Sequence, residues 1–169
     1  MNLFAAIDAF LFGRIEYETV SRYSLEESLR NIQAIVRPWS WGRALGLMPT
    51  GLYGSVSEDS IVVFRHLAVF HNSFKPYFYG ALRSSGTDVT LNGVFTMTKS
   101  AKIVSLIASV LGPIIVAIAL WDLHDFPQAL VWLAIIAFPA TFALNVCLGR
   151  WIGRNDPRII ADALDEALA

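Results

Sequence analysis

Two apolar stretches dominate the pattern along the chain. From Ala101 to Trp121 it reads AKIVSLIASVLGPIIVAIALW, 21 residues with one charge, Lys102. From Pro127 to Leu148 it reads PQALVWLAIIAFPATFALNVCL, 22 residues with none. Coiled as helices at about 1.5 Å per residue, each is roughly 30 Å long, the thickness of a bilayer core. The pattern predicts a two-helix transmembrane hairpin, with spans at 101–121 and 127–148 and an external loop at 122–126. Lys99 and Lys102 precede the first stretch. Arg150, Arg154 and Arg158 follow the second, and the loop Asp122-Leu123-His124-Asp125-Phe126 has no Lys or Arg. That asymmetry predicts both termini in the cytoplasm. Trp121 and Trp151 then fall at opposite interfaces as anchors.

Before these stretches the periodicity changes. Residues 14–100 predict a cytoplasmic α+β domain. Ile15, Tyr17 and Thr19 alternate with Arg14, Glu16 and Glu18, the pattern of a strand with a charged face. Ser24-Leu25-Glu26-Glu27 is a capping box, Ser24 at N-cap and Glu27 at N3. Leu25, Leu29, Ile32 and Val36 follow on one helical face, and Pro38 ends that helix. Residues 38–51 read as a loop. Strands are expected at 52–57, 61–70, 74–83 and 89–98, joined by turns at Glu58-Asp59, His71-Asn72-Ser73 and Ser84-Ser85-Gly86-Thr87. In the last, Val89, Leu91, Phe95 and Met97 alternate with Thr90, Asn92, Thr96 and Thr98. The expected fold is an antiparallel β-meander with packed helices, the hairpin being inserted before a C-terminal helix. That amphipathic helix, in 155–169, has Asp156 as N-cap, Pro157 at N1 and a stripe of Ile159, Ile160, Ala163, Leu164, Ala167 and Leu168. It is expected to pack on the cytoplasmic domain. Residues 1–13 form an apolar arm that reads either as a short interfacial helix or as a strand-like segment. They lack the basic start of a secretory signal.

Composition sharpens this picture. Apolar residues make up 55% of the 169 and charged residues 16%, where a typical soluble domain carries about 25% charged. With 13 Lys+Arg against 14 Asp+Glu the net charge is −1, so no nucleic-acid partner is implied. One cysteine, Cys147, excludes an internal disulfide and a thiolate metal cage.

The strand Arg14–Val20, the helix from Ser24, the segment Asn72-Ser73-Phe74-Lys75-Pro76 with Gly80, the turn Gly86-Thr87 and the two apolar stretches occur together. As a set, over residues 14–150, they resemble a family of small, uncharacterised bacterial inner-membrane proteins. The resemblance implies an architecture and a multi-pass inner-membrane location, and carries no catalytic residues.

Candidate chemistry is sparse. His66 and His71 are five apart and face opposite ways on a strand, so no metal spacing is present. No nucleophile elbow or phosphate loop occurs. No catalytic residue, metal or cofactor is expected. The marked positions are interfacial and packing residues. Trp39, Trp41, Trp121, Trp151, Lys99, Lys102, Arg150 and Arg154 are candidates for a membrane interface. Ser105, Ser109 and Gly112 on the first stretch, with Ala137 and Ala140 on the second, form small-residue faces for helix packing, and Asn145 is expected to hydrogen-bond between helices. The expected partners are the lipid bilayer and a membrane protein or a second copy. The expected function is a membrane-anchored, non-enzymatic interaction or assembly module. The alternative is binding of a lipid or apolar ligand by the sheet, in a pocket lined by Phe64, Phe78 and Phe95.

Overall fold

The computed structural model describes residues 13–39, 49–68, 74–86, 88–121 and 128–169, with side chains of the two longest helices described in part. Strand β1 (Ile15–Ser21) leads into α1 (Leu25–Ile35), a two-residue strand β2 (Arg37–Pro38), and then β3 (Gly51–Val56), β4 (Ile61–His66), β5 (Tyr77–Ser85) and β6 (Asp88–Thr96). Helices α2 (Lys99–Trp121), α3 (Gln128–Ile152) and α4 (Asp156–Leu168) complete the described chain. The result is a mixed α+β fold around one six-stranded sheet, in the order β1-β6-β5-β4-β3-β2.

Local chemistry accounts for the element ends. The Ser24 hydroxyl accepts from the Glu27 amide while the Glu27 carboxylate accepts from the Ser24 amide, so two free donors of α1 are satisfied. These hydrogen bonds also hold the Glu27 carboxyl below the usual carboxylate range. Strands β3 to β6 are joined in sequence as antiparallel neighbours, and β1 closes on β6 with Ile15 opposite Phe95. The parallel β2 is the exception. Sequence periodicity ended the helix at Pro38 and assigned a loop, but Pro38 sits at the sheet edge beside Gly54, where its missing N–H costs nothing.

One face of the sheet carries the core. Ile61, Val63, Phe78, Leu82, Val89, Leu91 and Phe95 are buried beneath Ile32 of α1 and Ile160, Leu164 and Leu168 of α4. Tyr17 sits edge-on to Phe78 at 5.6 Å between ring centroids, and its hydroxyl donates to Asp165 at 2.7 Å. Burial, then that carboxylate, raise the Tyr17 pKa. Ser21 and Ser28 share a buried hydrogen bond of 2.7 Å that joins β1 to α1. The Phe78 ring lies over Gly80 and Gly93, which are opposite each other in β5 and β6. A Cβ on Gly93 would stand 2.4 Å from the ring, so the close approach requires glycine there.

The sequence expectation differs from the structure in several places. Among the described residues no helix is long and apolar enough to cross a membrane. The transmembrane hairpin and the multi-pass inner-membrane location expected from the sequence are therefore corrected. A span needs about 20 consecutive apolar residues. Helix α3 carries Arg150 in its last turn. In α2, Lys99 and Lys102 occupy the first turn and Pro113 lies in the middle. Strand β4 stops at His66 rather than 70, and β5 starts at Tyr77 rather than 74. Helix α4 begins at Asp156, with Asn155 as N-cap making no side-chain cap hydrogen bond. Asp156 is drawn instead into a buried ion pair. The expected arm at 1–12, most of the loop at 38–51, the turns at His71-Asn72-Ser73 and Thr87, and the loop 122–126 lie outside the described residues.

Candidate functional site

Two arrangements meet where α3 passes into α4. The first is a buried charge cluster. Asp156 opens α4 and is 2% exposed; its carboxylate accepts from Arg65 of β4 at 3.2 Å. Lys75, 5% exposed, precedes β5; its ammonium donates to the Arg65 carbonyl at 2.8 Å and lies 4.4 Å above the Phe64 ring. Burial lowers the Lys75 pKa from 10.5 to about 8, against an opposing pull from Asp156. Burial raises the Asp156 carboxyl pKa, while Arg65 acts to lower it. Gly153 makes this closeness possible, because a Cβ there would stand 3.0 Å from Pro76 and 3.3 Å from the Lys75 stem. The aromatic surround belongs to the sheet face opposite the core. Phe64 packs on Tyr77 at 4.7 Å, on Tyr53 at 6.4 Å and on Trp39 at 5.3 Å between centroids. Burial pushes the Tyr77 phenol up to about 12. The cluster pins α4 to the sheet, a structural role for Arg65 and Lys75.

The second arrangement is a hollow of about 220 Å³ beside that cluster. Ile15, Phe74, Phe95 and Met97 supply apolar wall, and Arg150 and Arg154 supply charge. None of its described lining residues is Asp or Glu. The Arg150 guanidinium reaches over Gly13, and that of Arg154 stacks on the Trp151 ring at 5.5 Å. Above this hollow rise α2 and α3, which pack on each other.

The outer side of α2 is apolar and bare. Ile103, Ile107, Leu111, Ile114 and Ile118 recur at intervals of three and four, so they share one side, and Val104 and Ile115 flank them. All seven are exposed, Ile115 at 62% and Ile118 at 66%. By area-transfer reasoning they leave on the order of 500 Å² of apolar surface open on α2 alone. On α3, Ile136, Leu144, Leu148 and Trp151 are also exposed. Monomeric proteins rarely leave contiguous patches beyond a few hundred Å² bare unless something covers them.

The sequence-predicted residues fall unevenly on this arrangement. Arg150 and Arg154 come together at the hollow, and Trp151 lies exposed between them. Lys99 and Lys102 occupy the first turn of α2. Trp39 packs on the sheet against Phe64. Trp41 and the side chains of Trp121, Ser105 and Ser109 lie outside the described residues. Gly112 is half-buried, whereas Ala137 and Ala140 are exposed. Asn145 donates to the Thr141 carbonyl of its own helix at 2.9 Å, so this hydrogen bond runs within α3 rather than between helices. Phe78 and Phe95 pack on each other in the core at 5.1 Å, and Phe64 is on the opposite face. They line no common pocket. Among the described residues, no group of three or more His, Cys, Asp or Glu side chains could hold a metal.

Compared with known protein families, curated proteins and solved structures, the chain matches none. The functional reading therefore rests on the chain's own geometry.

Proposed function

We propose that this protein is a binding module for anionic lipid, with the bare faces of α2 and α3 meeting acyl chains and the basic residues at their base meeting head groups. The observation that carries this reading is the continuous apolar side of α2, from Ile103 to Ile118, set above Lys99, Lys102, Arg150 and Arg154. The sequence from 127 to 155 contains Arg150 and Arg154 and no Asp or Glu. An apolar face bordered by Trp and basic side chains is complementary to an amphiphile with an acidic head. A protein partner would bury the same face; the Trp and basic residues at its border favour an amphiphile. The contact required is between helix face and acyl chain; neither helix needs to cross.

Synthesis of the full chain in a cell-free system with lipid vesicles, followed by flotation on a density gradient, tests the reading. Recovery with vesicles that contain an anionic lipid should exceed recovery with neutral vesicles, and added salt should narrow the gap. Recovery that is independent of lipid charge would contradict it.

A further inference from the structure

The sheet ends in an open edge. Strand β1 lies last in the strand order and pairs on one side only, with β6, in unbroken register from Ile15 opposite Phe95 to Ser21 opposite Val89. Among the described residues no strand lies along its other side. Alternate N–H and C=O groups of the seven-residue strand point outward there, a template about 23 Å long for one more strand. Ile15–Ser21 contains no proline, and its register with β6 has no bulge, so two common devices for closing an edge are not used. Ile15 is 56% exposed and Val20 61%, so the edge is uncovered towards both ends.

The side chains select what can pair. Glu16 and Glu18 project from the face opposite the core, and across from them in β6 stand Val94 and Asn92, which carry no charge. Arg14 reaches Glu16 at 3.7 Å with both side chains largely exposed, a pair of little strength. Glu18 makes no ion pair among the described residues. A hollow of about 430 Å³ lies beside the two carboxylates, bordered by Asn92 and Val94, and gives room for incoming side-chain stems. A second copy fits badly. Two β1 strands paired antiparallel about a two-fold axis in full overlap set Glu18 opposite Glu18. A slip of two residues sets Glu16 opposite Glu18 twice. Like charges directly opposite destabilise a strand pair, whereas opposite charges stabilise it.

We infer that β1 is a docking edge for an extended segment of another protein, added as a seventh strand and carrying basic residues at two alternate positions. The basic residues lie opposite Glu16 and Glu18. The residue between them lies opposite Tyr17, and an apolar residue lies opposite Ile15. Main-chain hydrogen bonds supply the affinity, and the two carboxylates choose the partner. This surface is distinct from the bare side of α2, so it goes beyond the lipid reading and does not depend on it.

The test uses the full chain in a neutral detergent and capped, labelled peptides. They are VTKVKVT, its acidic counterpart VTEVEVT, and VTKVKVT carrying N-methyl groups on alternate residues, made in both phases. Binding is read by fluorescence anisotropy and by hydrogen exchange of the β1 amides. The lysine peptide should bind about tenfold more tightly than the acidic one, and added salt should narrow the gap. It should also protect β1 from exchange. One phase of N-methylation should abolish binding and the other spare it, because only alternate amides of an added strand face β1. Glu16→Lys with Glu18→Lys should reverse the preference between the two peptides. Both positions are exposed, so this variant should melt with the wild type. Equal binding of the two peptides, or binding of neither, would overturn the proposal. Lysine-peptide binding that neither phase of N-methylation weakens would reduce the contact to charge alone and overturn the added strand. Protection of β1 that grows with protein concentration in the absence of peptide would place a second copy on the edge, and would overturn it too.

Discussion

Lys75 allows the buried cluster to be tested through its proton. Burial moves the ammonium from its ordinary 10.5 to about 8. A cationic group whose pKa falls on folding opposes folding wherever both states hold the proton. Below about pH 8 that penalty is complete. The gap between 10.5 and 8, at about 1.4 kcal/mol per pH unit, corresponds to about 3 kcal/mol. As pH rises from 8 toward 10.5 the folded chain sheds the proton and the unfolded chain keeps it, so stability increases. Lys75→Met removes the titration and keeps an apolar stem over Phe64. The assay is denaturant unfolding of wild type and variant, full chain in neutral detergent, at steps from pH 7 to 10. The stability of wild type relative to the variant should rise by about 2 kcal/mol across that range. The phenols of Tyr77 and Tyr79, both raised by burial, act with the opposite sign only above about pH 10, and in both proteins alike. A difference that stays flat from pH 7 to 10 would mean that Lys75 is solvated and that the cluster is not buried as described.

Other substitutions probe the frame around the site. Gly93→Ala should destabilise by roughly 2–4 kcal/mol in the same unfolding assay, because the new Cβ would meet the Phe78 ring at 2.4 Å and the Tyr79 carbonyl at 2.6 Å. Ser24→Ala should cost about 1 kcal/mol by removing the capping box of α1, with the Glu27 carboxyl pKa moving back up by NMR titration. Leu164→Ala should cost about 2–5 kcal/mol, since Leu164 is fully buried between α4 and the sheet; a loss below about 1 kcal/mol would show that α4 is not docked there.

Local patterning was a good guide where one face alone meets the core. The alternation Val89, Leu91, Phe95, Met97 in and around β6 is buried throughout, and the Ser24 capping box is present in full. It was a poor guide where an element depends on distant partners. Pro38 pairs with Gly54 only because β3 passes beside it. Asp156 reads as the N-cap in the sequence, but Asn155 takes that position, and the partners of Asp156, Arg65 and Lys75, lie more than 80 residues away in sequence. The hollow was half legible: Arg150 and Arg154 stood out as basic flanks, but nothing local placed Ile15 and Met97 opposite them. The apolar stretches show the opposite failure. Their length and lack of charge are plain in the sequence, but no described helix is long and apolar enough to cross a membrane.

The central claim is that the bare side of α2 meets lipid, and one measurement addresses it directly. Ile114 and Ile118 are both exposed, so Ile114→Glu with Ile118→Glu puts two charges on that side without entering the core. Flotation with anionic vesicles is compared for wild type and the double variant, with the sheet's protease resistance followed in parallel. The account predicts that the wild type floats, while the double variant stays at the bottom of the gradient with its sheet still protected. Flotation of the double variant equal to wild type would contradict it, because that side of α2 would then not be the surface that meets acyl chains.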